Sequence, residues 1–558
     1  MKGHLILSLS LAIMLLSLGC QQGEQEGSRA AEGDALGLED ALSASGPDAA
    51  LHESGLAPSL SLESGLRIGP VSVGMVYTEL LEALGEPDSA YAFNRIVTLN
   101  YLELGLQVAL TSSDPLRASE DARVVSIATL SAANLEGVYQ HGMSRMALEV
   151  LLGEAFLETR GVAYYPASGM AVKFNALDEV TQFAMWPSYV PQIEPPEMLP
   201  AQSVQPPPMV PKSEGSAILY EIDGESYEVV DIHLHTGDSA SMHPDGIAFL
   251  LSVLPAPSVL NFPATSQSTR APYDPHVGIQ EHLRSAGVAH GVILATYTHH
   301  TIGYTENRLI EEMLDDPRNV NPDGSRWAWG MASINFEGYE EPGVAEARLE
   351  ALASYFKARP DLFIGIKLAH AHQAVSFDDP AYLGVYDIAA EFDVPVLLHT
   401  GFSPFPHSMT EPDYYDPASL EAVIEAYDGT QGAPKVEFVL AHAGQGDARS
   451  IEHSLYLAET YDNVWLELSA IHRPLSIDIE GQATESDTPM HPYVLEQIKA
   501  RGIIDRAIYA TDGPQFFGKS QSYLAMLVEA MKEEGYTQGE LAAVLAGNFY
   551  TCFEPATF

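Results

Sequence analysis

The apolar residues of the C-terminal part fall into eight short runs with almost no polar face: Val229 to His233, Gly291 to Ala295, Trp329 to Ile334, Ile364 to Leu368, Val394 to His399, Val436 to His442, Val464 to Leu468 and Ala507 to Asp512. A parallel sheet covered on both faces requires short strands of this kind. Apolar positions at helical spacing separate most of the runs, as in Val344 to Lys357 and Ala418 to Tyr427. Eight strand–helix units between residues 215 and 558 predict a (β/α)8 TIM barrel with insertions, an α/β fold.

A different pattern fills residues 66–188, where one unit occurs twice. The first copy runs from Gly74-Met75 through Leu80-Leu81 to Leu84-Gly85-Glu86-Pro87. The second runs from Gly142-Met143 through Leu148, Leu151 and Leu152 to Gly153-Glu154, with the same glycine-to-glycine spacing. Each copy has apolar residues at helical spacing closed by a glycine suited to a helix C-terminus. Alternating runs follow, Leu106 to Leu110 in one copy and Met170 to Phe174 in the other, and read as half-buried antiparallel strands. The prediction is helix, turn and hairpin, present twice, in a small α+β tandem-repeat domain. It resembles the tandem repeats of β-lactamase-inhibitor-type domains and of small outer-membrane lipoproteins. The resemblance implies a protein partner; a structural spacer is the other reading. This domain shows no catalytic constellation.

The flanking segments read as export and spacing elements. Lys2 precedes the apolar run Leu5 to Leu18, which is shorter than the ~20 residues a membrane-spanning helix needs. The run ends in Leu16-Ser17-Leu18-Gly19-Cys20. That resembles the lipobox of bacterial lipoproteins, although Ser17 stands where leucine is usual. It implies a signal peptide over 1–20, lipidation at Cys20 and a lipid anchor in the membrane; an ordinary cleaved signal is the alternative. Gln21 after the cysteine implies sorting to the outer membrane of the bacterial cell envelope. Residues 21–65, rich in Gly, Ser, Ala and acids, read as a flexible acidic tether. Residues 189–214 carry eight prolines and read as a semi-extended linker.

Composition narrows the chemistry. The net charge of −49 repels phosphate backbones, which argues against nucleic acid as a partner. Only Cys20 and Cys552 are present, so one chain builds neither a disulfide framework nor a cysteine-based zinc site. Any metal must be held by His, Asp, Glu or a modified Lys. No Gly-rich phosphate loop stands before a helix in the required context, and no Gly-x-Ser-x-Gly elbow is visible.

In a (β/α)8 barrel the catalytic groups sit at the C-terminal ends of the strands. Here the first run ends His233-Leu234-His235, the fifth His399-Thr400-Gly401, the sixth His442-Ala443-Gly444 and the eighth Ala510-Thr511-Asp512-Gly513-Pro514. Residues two apart on a strand share a face, so both imidazoles of the first run can point into the barrel mouth. These motifs, with Asn307 and Gly547-Asn548-Phe549, resemble the amidohydrolase superfamily, in its branch with decarboxylase-like and lactonase-like members, over residues 228–558. The resemblance implies that His233, His235, His399 and Asp512 bind one divalent metal ion, Zn²⁺ being the expected one, with a second ion not excluded. It implies a metal-activated water attacking an amide, ester or lactone carbonyl of a small-molecule substrate. His442 orients that water or acts as general base, and Asp512 passes the proton to the leaving group. A metal-dependent decarboxylase is the alternative within the branch, and a non-catalytic envelope scaffold is the alternative outside it. Lys367 either carries a carboxylated side chain bridging two metals, or pairs with an acid or reaches a substrate carboxylate. His370 and His372 line the pocket or lie on an exposed loop. His299, His300, His407, His472 and Arg473 are candidate substrate contacts, and residues 236–277 are expected to form a lid or pocket wall.

Overall fold

The structure, a computed structural model, describes residues 59–555 except 64, 94, 131–132, 187–217, 238–240, 254–269, 299, 322–323, 409 and 516. The signal segment with Cys20, most of the tether, the proline-rich linker and His299 therefore lie outside the described residues.

The eight apolar runs form one parallel sheet in sequential order. Its strands are β1 (Val230–His235), β2 (His290–Leu294), β3 (Ala328–Ala332), β4 (Phe363–Leu368), β5 (Val396–His399), β6 (Phe438–Ala441), β7 (Val464–Glu467) and β8 (Ala507–Ile508). The sheet closes: Leu234 of β1 bridges Gly513 beyond β8 in parallel, with the His235 N–H donating to Gly513 O at 2.6 Å and the Gly513 N–H to His233 O at 3.1 Å. Helices follow the strands: α1 (Ile279–Ala286), α2 (Asn307–Leu314), α3 (Val344–Ala358), α4 (Pro380–Phe392), α5 (Glu421–Ala426), α6 (Ala448–Thr460), α7 (His491–Arg501) and α8 (Lys519–Glu533). Their apolar faces cover the outside of the sheet. Val230, Ile232, Val292, Leu294, Met331, Leu397, Val439 and Ile508 fill the inside below the mouth, and Phe549 and Phe553 pack against them. That is the (β/α)8 barrel expected from the runs.

The repeat domain departs from expectation in two respects. Regular structure starts before residue 66: Leu60–Glu63 pairs with Arg67–Ile68, and Leu60 is buried, so the tether ends earlier than 65. Each helix, Tyr77–Leu84 and Arg145–Leu152, is followed by four strands rather than one hairpin. The eight strands form a single antiparallel sheet, joined at its centre where Ala184 and Met185 face Ala128 and Ile127. The extra strand Ser89–Phe93 escapes a pattern reading because it is a sheet edge that carries small residues at alternate places. Gly85 and Gly153 close the two helices with φ of 78° and 80°, a region costly for residues bearing a Cβ.

One face of this sheet has its own core. The other face, through Leu157, Val162, Tyr164 and Trp186, packs on Met242, Ile247 and Leu251 of the segment that follows β1. That segment contains the helix Pro244–Val253. The Arg95 guanidinium ties the domains further, 2.8 Å from Glu281 and 4.0 Å above the Phe517 ring. Among the described residues no helix is long and apolar enough to cross a membrane.

Candidate metal centre

β1 delivers both of its histidines to the mouth. His233 Nε2 and His235 Nε2 lie 3.1 Å apart, and Asp512 Oδ1 lies 3.6 Å and 3.2 Å from them. The carboxylate arrives because the chain beyond β8 turns sharply: Asp512 takes a φ of 55°, in the left-handed region. Burial drives all three residues away from solution behaviour. It holds His233 well below the usual imidazole range and also lowers His235, so both rings are neutral near pH 7 and have a lone pair to give. Burial pushes Asp512 up, but the His235 hydrogen bond and the surrounding imidazoles outweigh it, and the carboxyl sits well below its ordinary range.

The triangle has the dimensions of a coordination face. A tetrahedral ion with bonds of about 2.0–2.1 Å has ligand–ligand edges of about 3.3 Å. The three edges here bracket that value, and the nitrogen–nitrogen edge is also the length of a hydrogen bond in which one neutral ring donates and the other accepts.

His399, at the end of β5, stands on the far side of His442. Its Nδ1 lies 3.2 Å from His442 Nε2, while its buried Nε2 has no hydrogen-bond partner. The structure thus brings His233, His235 and Asp512 into one triangle, with His399 beside it in the same pocket and outside that group of three. His442 stacks on His233, ring centroids 5.0 Å apart. Its Nδ1 meets Ser469 Oγ at 2.7 Å, and its backbone N–H donates to Glu467 Oε2 at 2.8 Å. Burial holds His442 neutral as well.

Lys367, near the end of β4, is 2% exposed and its Nζ has no hydrogen-bond partner. Burial lowers it to about 8, against the pull of Glu467 and Asp512. It does not bond either acid directly. His372 faces His399 with ring centroids 5.1 Å apart and bonds Thr301 Oγ1, whereas His370 is sandwiched by Phe377 and Tyr382 and belongs to the packing. Both are buried, which excludes the exposed-loop reading. Asn307 clips α2 to the end of β3 through Ser333, and Asn548 caps carbonyls of Ile504 and Ala507 at the opposite end of the barrel. His472 meets Tyr523 edge to face, and His300 pairs with Glu337 at the rim.

Four groups that sequence reasoning passed over belong to this pocket. Glu467, fully buried at the end of β7, accepts from His442 N, Ser469 N and Ser469 Oγ and lies 3.5 Å from His233 Nδ1. Its one visible signal was an acid inside an apolar strand. Lys519, at the start of α8, donates to Asp512 O at 3.1 Å, and burial lowers it to about 8. Arg270, in the segment expected to be a pocket wall, is near enough to feel the Asp512 charge. Ser469 follows Glu467 by two places and had no signal. Arg473, expected as a substrate contact, reaches within 3.5 Å of Asp512 Oδ2.

A closed (β/α)8 barrel whose strand ends converge three histidines, an aspartate and several cations is the class that fold and site define. Residues 339–548 match the family model described as Amidohydrolase, a stretch that carries Lys367, His399, His442, Glu467 and Asp512. Over that stretch the barrel is similar to the amidohydrolase family. His233 and His235 lie ahead of the matched residues and join them through barrel closure. No curated protein matches the chain. Solved structures with similarity include an uncharacterized TIM-barrel protein from Bordetella bronchiseptica, at 15% identity over 59% of this chain and 99% of that one, TM-score 0.40. A probable 2-pyrone-4,6-dicarboxylic acid hydrolase from Acinetobacter baumannii aligns at 15% identity over 59% and 99%, TM-score 0.37. A 5-carboxyvanillate decarboxylase from Sphingomonas paucimobilis aligns at 13% identity over 59% and 99%, TM-score 0.38.

Proposed function

We propose that the barrel is a divalent-metal-dependent hydrolase that cleaves an amide, ester or lactone carbonyl in a substrate bearing a carboxylate. The observation that carries this reading is the His233–His235–Asp512 triangle, whose 3.1–3.6 Å edges suit an ion with imidazole and carboxylate ligands. Two neutral nitrogens and one carboxylate oxygen fit Zn²⁺ better than a hard, oxygen-seeking cation. Such an ion supplies a Lewis acid that polarises a carbonyl and acidifies water.

The chain's own groups do the rest. Ser469 fixes the His442 ring at Nδ1, and Nε2, which meets His399 Nδ1 at 3.2 Å, is the nitrogen that would take a proton from water once that contact is given up. Glu467 holds the His442 backbone and stands behind the His233 ring, orienting both. Asp512, an anion in the resting site, would accept the proton that His442 took from water and pass it to the leaving group. Arg473 approaches that carboxylate, Lys519 bonds the Asp512 main-chain carbonyl, and Arg270 and Lys367 are near enough to feel the charge, in a chain with 76 acids and 27 bases; this concentration of positive charge supports an anionic substrate.

The same cations favour a second reading, decarboxylation, because they can seat a carboxylate next to the metal triangle. One experiment separates the two. The zinc-loaded protein is offered a panel of carboxylated lactones, amides and aromatic carboxylates, with product and CO₂ both followed. Hydrolysis without CO₂ supports the first reading, CO₂ release the second. A protein that retains no metal, or activity that survives His442→Ala intact, refutes the assigned machinery. We also read the chain as exported and lipid-anchored, on the apolar run ending at Cys20. Absence of lipid on Cys20 in the mature protein by mass spectrometry would end that reading.

A further inference from the structure

Away from the triangle, three metal-type donors from distant segments meet at the rim of the barrel. His243 and Asp245 stand at the start of the helix Pro244–Val253, and His407 lies in the loop after β5. His407 Nε2 is 2.5 Å from Asp245 Oδ2, and His243 Nδ1 is 3.9 Å from the same oxygen. The two rings are 4.7 Å apart, and one ligand atom from each of the three residues lies within 4.8 Å of the others. A bare ion pair accounts for His407 and Asp245. It leaves His243 outside hydrogen-bond reach of the carboxylate, turned toward it, with Nδ1 taking only the Asp245 N–H at 3.2 Å.

The backbone that carries these donors is held firmly. A Cβ on Gly246 would stand 2.1 Å from Thr301 O, so only glycine lets the helix lie this close to the loop after β2. Phe249 packs on Phe405, centroids 5.1 Å apart, and the helix's other side is fixed by the repeat sheet. His407 itself holds a φ of 64°, a conformation that a residue with a Cβ adopts only when its surroundings insist. Positions fixed by packing on both sides are what a coordination site needs from its scaffold.

We propose that His243, Asp245 and His407 form a second divalent-cation site, selective for zinc-type ions, that ties the helix after β1 to the loop after β5. Two imidazoles and one carboxylate exclude calcium and magnesium, which take oxygen ligands, and leave one coordination position to water. The three side chains are 34%, 57% and 49% exposed, so this site exchanges with solvent more readily than the buried triangle.

The test is a metal count. The full-length protein is stripped with chelator, equilibrated with Zn²⁺, freed of unbound ion and analysed for zinc per chain. His407→Ala and Asp245→Asn are each expected to lose one equivalent relative to the unsubstituted protein. His235→Ala is expected to lose a different one, so that the His235→Ala/His407→Ala protein loses both. Equal zinc content in the unsubstituted, His407→Ala and Asp245→Asn proteins overturns the proposal, whatever His235→Ala does. Should His407→Ala misfold, the isosteric Asp245→Asn carries the comparison. Co²⁺ loaded into His235→Ala gives a further readout: visible ligand-field bands are expected from the rim site, and their absence overturns it.

Discussion

Gly401 follows His399 by two places and lets the loop after β5 press against the loop after β6. Its φ is +87°, and a Cβ there would stand 2.2 Å from Gln445 O and 2.5 Å from Gln445 N. The Phe402 N–H donates to the same Gln445 O at 2.9 Å, so the added methyl lies across the bond that joins the loops. Backbone strain for alanine at this φ costs about 1–2 kcal/mol. Forcing a methyl into a closed contact adds about 1–3 kcal/mol, and the displaced hydrogen bond about 1 kcal/mol. Gly401→Ala is therefore expected to cost about 3–6 kcal/mol and to displace His399 and His442, which stand where the two strands give way to the loops being forced apart. Gly432 supplies the control, with φ +90° and nothing within 4 Å of its added Cβ. Gly432→Ala pays the strain alone, about 1–2 kcal/mol. Urea unfolding followed by tryptophan fluorescence measures both, since Trp327, Trp329 and Trp465 all report on the barrel. Equal costs at the two positions would refute the steric reading and with it the claim that this loop contact sets the His399 position.

Arg473→Ala is expected to raise KM for a carboxylated substrate about tenfold, equivalent to about 1.4 kcal/mol, while leaving KM for an uncharged analogue unchanged; steady-state kinetics on the pair checks it. His282 is buried, and burial depresses it to about 3. The unfolded chain therefore binds more protons there between pH 6.5 and 3, and stability is lost as pH falls through that window, at up to about 1.4 kcal/mol per pH unit for this group. Denaturation at pH 7.5 and 5.5 should show the loss, and His282→Gln should reduce it, the other buried histidines supplying the remainder. Arg95 combines a half-buried ion pair with Glu281, a bond to His276 O and the Phe517 ring. Arg95→Ala is expected to cost about 2–3 kcal/mol of coupling between the domains, visible in calorimetry as separation of their unfolding transitions.

The strands of the barrel were legible because burial on both faces writes a continuous apolar run, as in Phe363–Leu368, where all six residues are buried. The pairing of His233 with His235 was legible for the same geometric reason, a period of two. The site's supporting groups were not. Glu467 looks in sequence like any acid, and its meaning comes from donors at His442 N and Ser469 that fold against it. Lys519 starts a helix and Arg270 is the last residue of one, and at helix ends no periodicity marks direction. The role of the repeat domain was equally hidden. Both sheet faces alternate in the same way, and only contact with Met242, Ile247 and Leu251 reveals that one face supports a wall of the barrel mouth.

The metal triangle depends on the last step of barrel closure. β1 and β8 are far apart in the chain, so His233 and His235 reach Asp512 only if the first and last strands join. Asp231 is the residue that joins them. It is fully buried, and its carboxylate accepts from Thr511 N at 3.1 Å, Thr511 Oγ1 at 2.6 Å and His233 N at 3.2 Å. One side chain thus fixes the residue before Asp512 and the backbone of His233 together. Burial raises Asp231 to about 7 despite these donors, so the seam is costly to charge. A cation held by residues from both sides of the seam binds the closed barrel and not the open chain, and so adds its binding free energy to closure. Site and fold are therefore linked at this edge: what assembles the candidate ligands is what completes the barrel, and on the metal-dependent reading proposed above an ion held there would strengthen the joint that presents them.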